Sequence, residues 1–154
     1  MCQRGAVNGG ALAGVRVVEL AGLGALPYGT LRLADMGAEV IRVERTAAVP
    51  DEPVARPHSP FDRGRRSIAV DLKSSEGVEV VLRLVETADV LLEAFRPGVV
   101  ERLGVGPDDA LARNPKLVYG RLTGWGQDGP MAQSAGHSLN YEACLLYTSD
   151  AADE

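Results

Sequence analysis

Two cysteines, Cys2 and Cys144, are all the thiols in this chain, and they stand near its opposite ends. So few, so far apart, exclude a disulfide framework and a cysteine-based zinc site. No apolar run approaches the roughly 20 residues of a membrane span. A secretory pattern is missing too: Met1 to Ala13 is rich in glycine and alanine and carries Arg4, with no sustained apolar core. That stretch reads as a flexible leader, residues 1–13, and a cytoplasmic location with no membrane partner is the expectation. Positive charge is in deficit: the formal net charge is -5, which argues against nucleic acid as a partner. What is present fits one soluble globular domain: 154 residues, 45% hydrophobic and 24% charged. A chain of that length buries roughly 68–70% of its unfolded surface.

The cations, though few, are gathered. Arg63, Arg65 and Arg66 form one group, and Arg96 and Arg102 a second. An acidic protein that clusters arginines either binds a small anion or presents a solvated basic face.

Taken in order, the chain alternates strand and helix. VRVVEL (Val15–Leu20) is a short β-branched run and the first expected strand. Gly22, Gly24 and Pro27 break it, and a helix is expected from about Pro27 to Met36, closed by Gly37. Val40–Val43 is the second strand, completing a β-α-β unit with parallel strands and a right-handed crossover. Gly22 and Gly24, with Glu44 further on, suggest a dinucleotide fingerprint, but Pro27 takes the place of its third glycine and the fingerprint fails. Thr46 to Pro60 is a proline-rich loop carrying His58. Ser67–Leu72 alternates as a third strand, Ser74 or Ser75 caps the next helix, and Val78, Val81, Leu82 and Val85 fall on one face of it. Asp89–Phe95 is a fourth strand, Pro107–Asn114 a short helix, and Lys116–Thr123 a fifth strand. The expected architecture is α/β: a Rossmann-like parallel sheet with helices on both faces.

After the fifth strand comes GRLTGWGQDGPMAQSAGHSLNY (Gly120–Tyr141). Gly136 gives backbone freedom and Ser138 and Asn140 are small polar residues, so a helix is expected to start there. His137, one of two histidines, falls at this turn. The positive end of a helix favours the neutral imidazole, the form a general base needs. Trp125, the only tryptophan, is read as a packing anchor for the loop rather than a substrate contact.

TGWGQDGP followed by AGHSLNY resembles the family III coenzyme A transferases, and within them the α-methylacyl-CoA racemases, whose pattern TGWGQxGP…AGHDxNY ends in the catalytic histidine. Ser138 departs from the usual Asp. RGRRSIAVDLK is similar to the family's NRGKRSxxLDLK, with Asp62 in place of Asn, and EAFRPGVVERLG to ENFRPGxxxRLG. With VRVVEL and LADMGAEVIRVER, five blocks in order carry the resemblance from Val15 to about Ala143. It implies a CoA-binding α/β domain over residues 14–143, an acyl-CoA substrate, and His137 as catalytic base. It also implies an interlocked homodimer at full length, with no metal and no cofactor beyond the coenzyme A of the substrate. A catalytic aspartate is implied beyond the histidine block.

Coenzyme A carries a diphosphate and a 3′-phosphate, so its site needs cations at the sheet's carboxyl edge, where open α/β folds bind ligands. Arg45, Lys73 and Arg96 follow the second, third and fourth strands, and Arg102 is placed to point into the same crevice. The resemblance adds Val70, Leu72, Ala94, Phe95, Gly136, Ser138, Leu139, Asn140 and Tyr141 to the CoA and substrate site. It stops at Ala143. One permitted back-translation of Cys144–Glu154 resembles a sequencing-library adaptor, so residues 144–154 are expected to be foreign and the gene to continue. The expected reaction is racemisation at the α-carbon of 2-methylacyl-CoA thioesters. The alternatives are CoA transfer between carboxylic acids and a catalytically incomplete CoA-binding fragment.

Overall fold

A computed structural model of the chain describes residues 9–20, 22, 24–46, 62–137 and 140–142. Readings that fall on His58, Ser138, Leu139, the first eight residues and the segment 144–154 lie outside the described residues.

Five strands form one parallel sheet: β1 (Arg16–Leu20), β2 (Glu39–Arg45), β3 (Arg65–Val70), β4 (Val90–Glu93) and β5 (Val118–Arg121). Their order is β3-β2-β1-β4-β5. The chain moves one way from β1 through β2 to β3, then returns to β4 on the other side of β1. The order therefore reverses between β1 and β4, the place where open α/β sheets leave a crevice outside their carboxyl ends.

Helices cover both faces because β1 is apolar on both. Val18 and Leu20 belong to the larger core, with Val81 and Val85 of α2 (Ser75–Val85), Val100 of α3 (Val99–Leu103) and Ala110 of α4 (Pro107–Arg113). Burying Val81 or Val85, both fully enclosed, contributes about 1.5–3 kcal/mol each. On the opposite face Val17 joins Val40 and Ala38, packed by Leu33 and Ala34 from α1 (Ala25–Asp35) and its end. Leu12 packs there too and donates its N–H to Met36 O at 2.9 Å. The end of the expected leader is thus docked on the sheet.

Among the aliphatic residues facing α1 sits a buried charge. Glu19, fully enclosed, accepts hydrogen bonds from Thr30 Oγ1 at 2.7 Å and Arg65 Nη1 at 2.8 Å. Arg42 lies 3.5 Å from its other oxygen. A carboxylate without water needs such partners.

Strand boundaries differ from those expected, and pairing explains how. β2 runs on to Arg45 because β3 pairs along it from Val40↔Arg65 to Arg45↔Val70. β3 therefore starts at Arg65 rather than Ser67 and ends at Val70 rather than Leu72. β4 and β5 are four residues each, shorter than Asp89–Phe95 and Lys116–Thr123, because they pair only from Val90↔Val118 to Glu93↔Arg121.

Candidate active site at the sheet's carboxyl edge

A crevice of about 770 Å³ opens at the reversal point. One wall is the start of α1, Gly24–Leu26; another is the segment after β4, Ala94–Pro97. The remainder comes from Leu122–Gly124 after β5 and from Ala132, Ser134–His137 and Tyr141. Its size suits a small-molecule ligand. Among its described lining residues Arg96, His137 and Tyr141 are the titratable ones, and none is a carboxylate.

His137 comes to this wall by helix-end geometry. Its carbonyl accepts the N–H groups of Asn140 and Tyr141, at 2.9 and 3.2 Å. Asn140 Oδ1 in turn accepts the His137 N–H at 3.0 Å. This is the return half of a capping box, with the histidine as N-cap. The imidazole is exposed. Gly136 does not serve backbone freedom as expected: its φ is not positive, and its role is one of space. A Cβ there would stand 2.3 Å from Tyr141 Oη. Trp125 acts as the loop anchor, donating from Nε1 to Ala135 O at 3.3 Å and meeting the Tyr141 ring at 5.5 Å between centroids.

The other expected site residues are spread along the edge. Ala94, Phe95, Arg96, Gly136, His137 and Tyr141 line the crevice. Arg45 stands over the Phe95 ring, 5.6 Å from its centroid, a cation–π contact that carries the end of β2 across to the segment after β4. Lys73, exposed, lies beyond β3 with its N–H bonded to Asp71 Oδ1. Three strand spacings separate β3 from β4 in this sheet, about 14 Å. Arg102 is exposed on α3, its guanidinium beside Gly98. The four cations are therefore not gathered into one tight cluster. Val70 is a core side chain and Leu72 packs on the same core. Asn140 is engaged in the cap.

Each arginine of the first group is paired with a carboxylate. Arg63 pairs with Asp35 at 2.7 Å, Arg65 with Glu19, and Arg66 with Glu39. Two roles at the edge were not read from the sequence, that of Gly24 as a helix cap and that of Glu93. Gly24 is the N-cap of α1 and no side chain caps that helix, so its first N–H groups border the crevice. Glu93, 2% exposed, accepts the Phe95 N–H at 2.7 Å and faces Arg121 Nε at 3.6 Å. Arg121 also reaches Gln127 at 2.7 Å and Glu101, tying β5, α3 and the glycine loop beneath the crevice. Burial pushes the Glu93 carboxyl above the usual glutamate range, against the opposing pull of the Phe95 N–H and Arg121.

Comparison with known proteins matches residues 12–148 to the family described as CoA-transferase family III. The chain belongs to that family. Alpha-methylacyl-CoA racemase of Mus musculus is 52% identical over 132 residues, covering 86% of this chain and 33% of that protein. The probable fatty acyl-CoA transferase Rv3272 of Mycobacterium tuberculosis is 44% identical over 138 residues, covering 83% of this chain and 35% of that protein. A crystal structure of Rv3272 superposes with a TM-score of 0.80 at 41% identity, over 92% of this chain and 40% of that one. A CaiB/BaiF family protein from Brucella suis gives 0.78 at 34% identity, over 89% of this chain and 39% of that one. The chain spans about a third of the length of the curated relatives it matches. The family match runs past residue 143 to residue 148, into the segment expected to be foreign. No described helix is long and apolar enough to cross a membrane.

Proposed function

We propose that the full-length protein racemises 2-methylacyl-CoA thioesters by proton transfer at the α-carbon, and that this chain supplies the first base, His137. The observation that carries the reading is the placement of His137 as an exposed N-cap on the crevice wall. The 52% identity to a racemase supports it. The thioester acidifies the C2 proton. The imidazole takes that proton from one face, leaving an enolate, and an aspartic acid beyond this chain returns a proton to the opposite face. Backbone N–H groups at the start of α1, which borders the crevice, would be donors to the enolate oxygen, where charge develops in the transition state.

Arg45, Arg96, Arg102 and Lys73 would follow the phosphates of coenzyme A along the edge. Val70, Leu72, Ala94, Phe95, Gly136, Ser138, Leu139, Asn140 and Tyr141 would border its pantetheine and acyl parts by main chain or side chain. The same reading has the full-length protein work as an interlocked homodimer in the cytoplasm. It uses no metal or redox cofactor.

A CoA transferase is the second reading, supported by the 44% identity to a probable fatty acyl-CoA transferase. There an aspartate beyond this chain would be acylated as nucleophile. Proton NMR of C2 in D₂O separates the two. Racemase chemistry predicts loss of the C2 proton signal from each 2-methylacyl-CoA enantiomer. CoA transfer between two acids with no C2 exchange would overturn it.

A further inference from the structure

Resting on the reading of His137 as a base, we infer that Tyr141 is a positioning residue. Its ring, seated on the bare backbones of Gly124 and Gly136 and beside Trp125, clasps the loop ends together and fixes how His137 meets the crevice. Three contacts converge on that ring. A Cβ on Gly124 would lie 2.6 Å from Tyr141 Oη, and one on Gly136 would lie 2.3 Å from it. Real Cβ atoms do not approach so closely, so a Cβ at either position requires the tyrosine to shift. Neither glycine has a positive φ, whereas Gly126 and Gly129 in the same loop do, at 81° and 98°. The four glycines thus divide by cause: the inner pair shapes the backbone and the outer pair clears room for the tyrosine.

The ring also joins the two ends of the loop. Trp125, next to Gly124, meets Tyr141 at 5.5 Å and 52°. Its indole N–H is donated to Ala135 O, next to Gly136. Tyr141 is bonded back to His137 through its own N–H, at 3.2 Å. A displacement of the ring that its side-chain torsions do not absorb therefore carries the turn that holds the imidazole with it.

The two glycines meet different atoms, and this supplies the test. At Gly124 an added Cβ meets only the hydroxyl below 3.0 Å, and its next neighbours are Gly136 Cα and N at 3.3 and 3.4 Å. At Gly136 it also meets ring carbons Cζ and Cε1, at 2.7 and 2.9 Å. Removing the hydroxyl by Tyr141→Phe relieves the first clash and leaves the second. The experiment compares Gly124→Ala, Gly136→Ala and each combined with Tyr141→Phe, in the full chain. It reads the His137 imidazole proton line, assigned with His137→Gln, and the near-UV dichroism of Trp125. Gly124→Ala should shift the imidazole line and weaken the tryptophan band, and adding Tyr141→Phe should restore both. Gly136→Ala should do the same damage without rescue.

In the full-length protein C2 exchange should follow the same pattern. Gly124→Ala should lose on the order of 10²-fold in kcat, with KM changing less, and adding Tyr141→Phe should recover most of that loss. If Gly124→Ala unfolds the chain, refolding on addition of Tyr141→Phe supports the clasp. An unmoved imidazole line in Gly124→Ala, or no difference in rescue between the two glycines, would overturn it. Wild-type protein that shows the spectroscopic pattern but no C2 exchange would count against the proton-transfer reading alone.

Discussion

Glu93 is the residue whose surroundings oppose its charge most plainly. It is 2% exposed at the end of β4, immediately before the crevice segment. Lost hydration raises its pKa above the ordinary value of 4.5, while the Phe95 N–H and Arg121 pull the other way. The folded state therefore binds this proton more tightly than the unfolded chain. Stability from this group is fully present below about the ordinary glutamate pKa and is lost as pH rises through the raised one. Urea melts of wild type and Glu93→Gln across the acidic to neutral range should show it. The wild-type advantage over the variant should shrink as pH climbs from about 4.5, then level off. A pH-independent difference would contradict the sign. Glu93 was legible in principle, since period-two alternation puts it on the same face as fully buried Leu91. In the run DVLLEAF, however, a single glutamate near a strand end reads as the return to solvent. Glu19 escaped notice for the same reason: its partner Arg65 lies 46 residues away, and no local pattern announces that pairing.

Among the elements, α2 was the most legible, because its fold follows from local chemistry. Val81, Leu82 and Val85 are buried at the expected spacing, and Ser74 is the N-cap, its Oγ accepting from Gly77 N–H at 3.0 Å. The cap alone makes Ser74→Ala cost about 1 kcal/mol. Gly77 tests packing against propensity. In an exposed helix interior, alanine for glycine stabilises by about 0.8–1.0 kcal/mol. Here a Cβ would stand 1.9 Å from Asp71 O and 2.7 Å from its carbonyl carbon, both backbone atoms that cannot swing aside. Overpacking of this kind costs about 1–3 kcal/mol, so Gly77→Ala should unfold at lower urea than wild type. A more stable Gly77→Ala would show that the turn before α2 yields. The ends of β2 and β3 were less legible than α2. Arg65 and Arg66 look like loop, yet pairing with Val40 and Ile41 draws them into the sheet, and acids on neighbouring strands neutralise them.

Taken whole, the molecule places its crevice by topology. The order β3-β2-β1-β4-β5 reverses beside β1, and the segments after β4 and β5 meet the start of α1 there. The alternation of strands and helices in the sequence was enough to foresee that edge. It was not enough to foresee how the cations spread along it, because strand order is a long-range property that chain order does not reveal. Lys73 and Arg96 follow successive strands in the chain but sit three positions apart in the sheet. The turn at His137 was legible because it is local, capped by Asn140 three residues on, whereas the reading of His137 as a base came from the resemblance. The role of Gly136 was not, since a glycine needed for space and one needed for backbone conformation look alike in a sequence. In the proposed reaction His137 acts at C2 while the cations hold the CoA phosphates elsewhere. The deciding measurement is C2 proton exchange in D₂O by full-length wild type and His137→Ala, with CoA affinity measured on both. Exchange should fall by roughly 10²–10⁴-fold, the usual contribution of a positioned acid–base group, and CoA affinity should change much less. Equal exchange rates in the two proteins would contradict it.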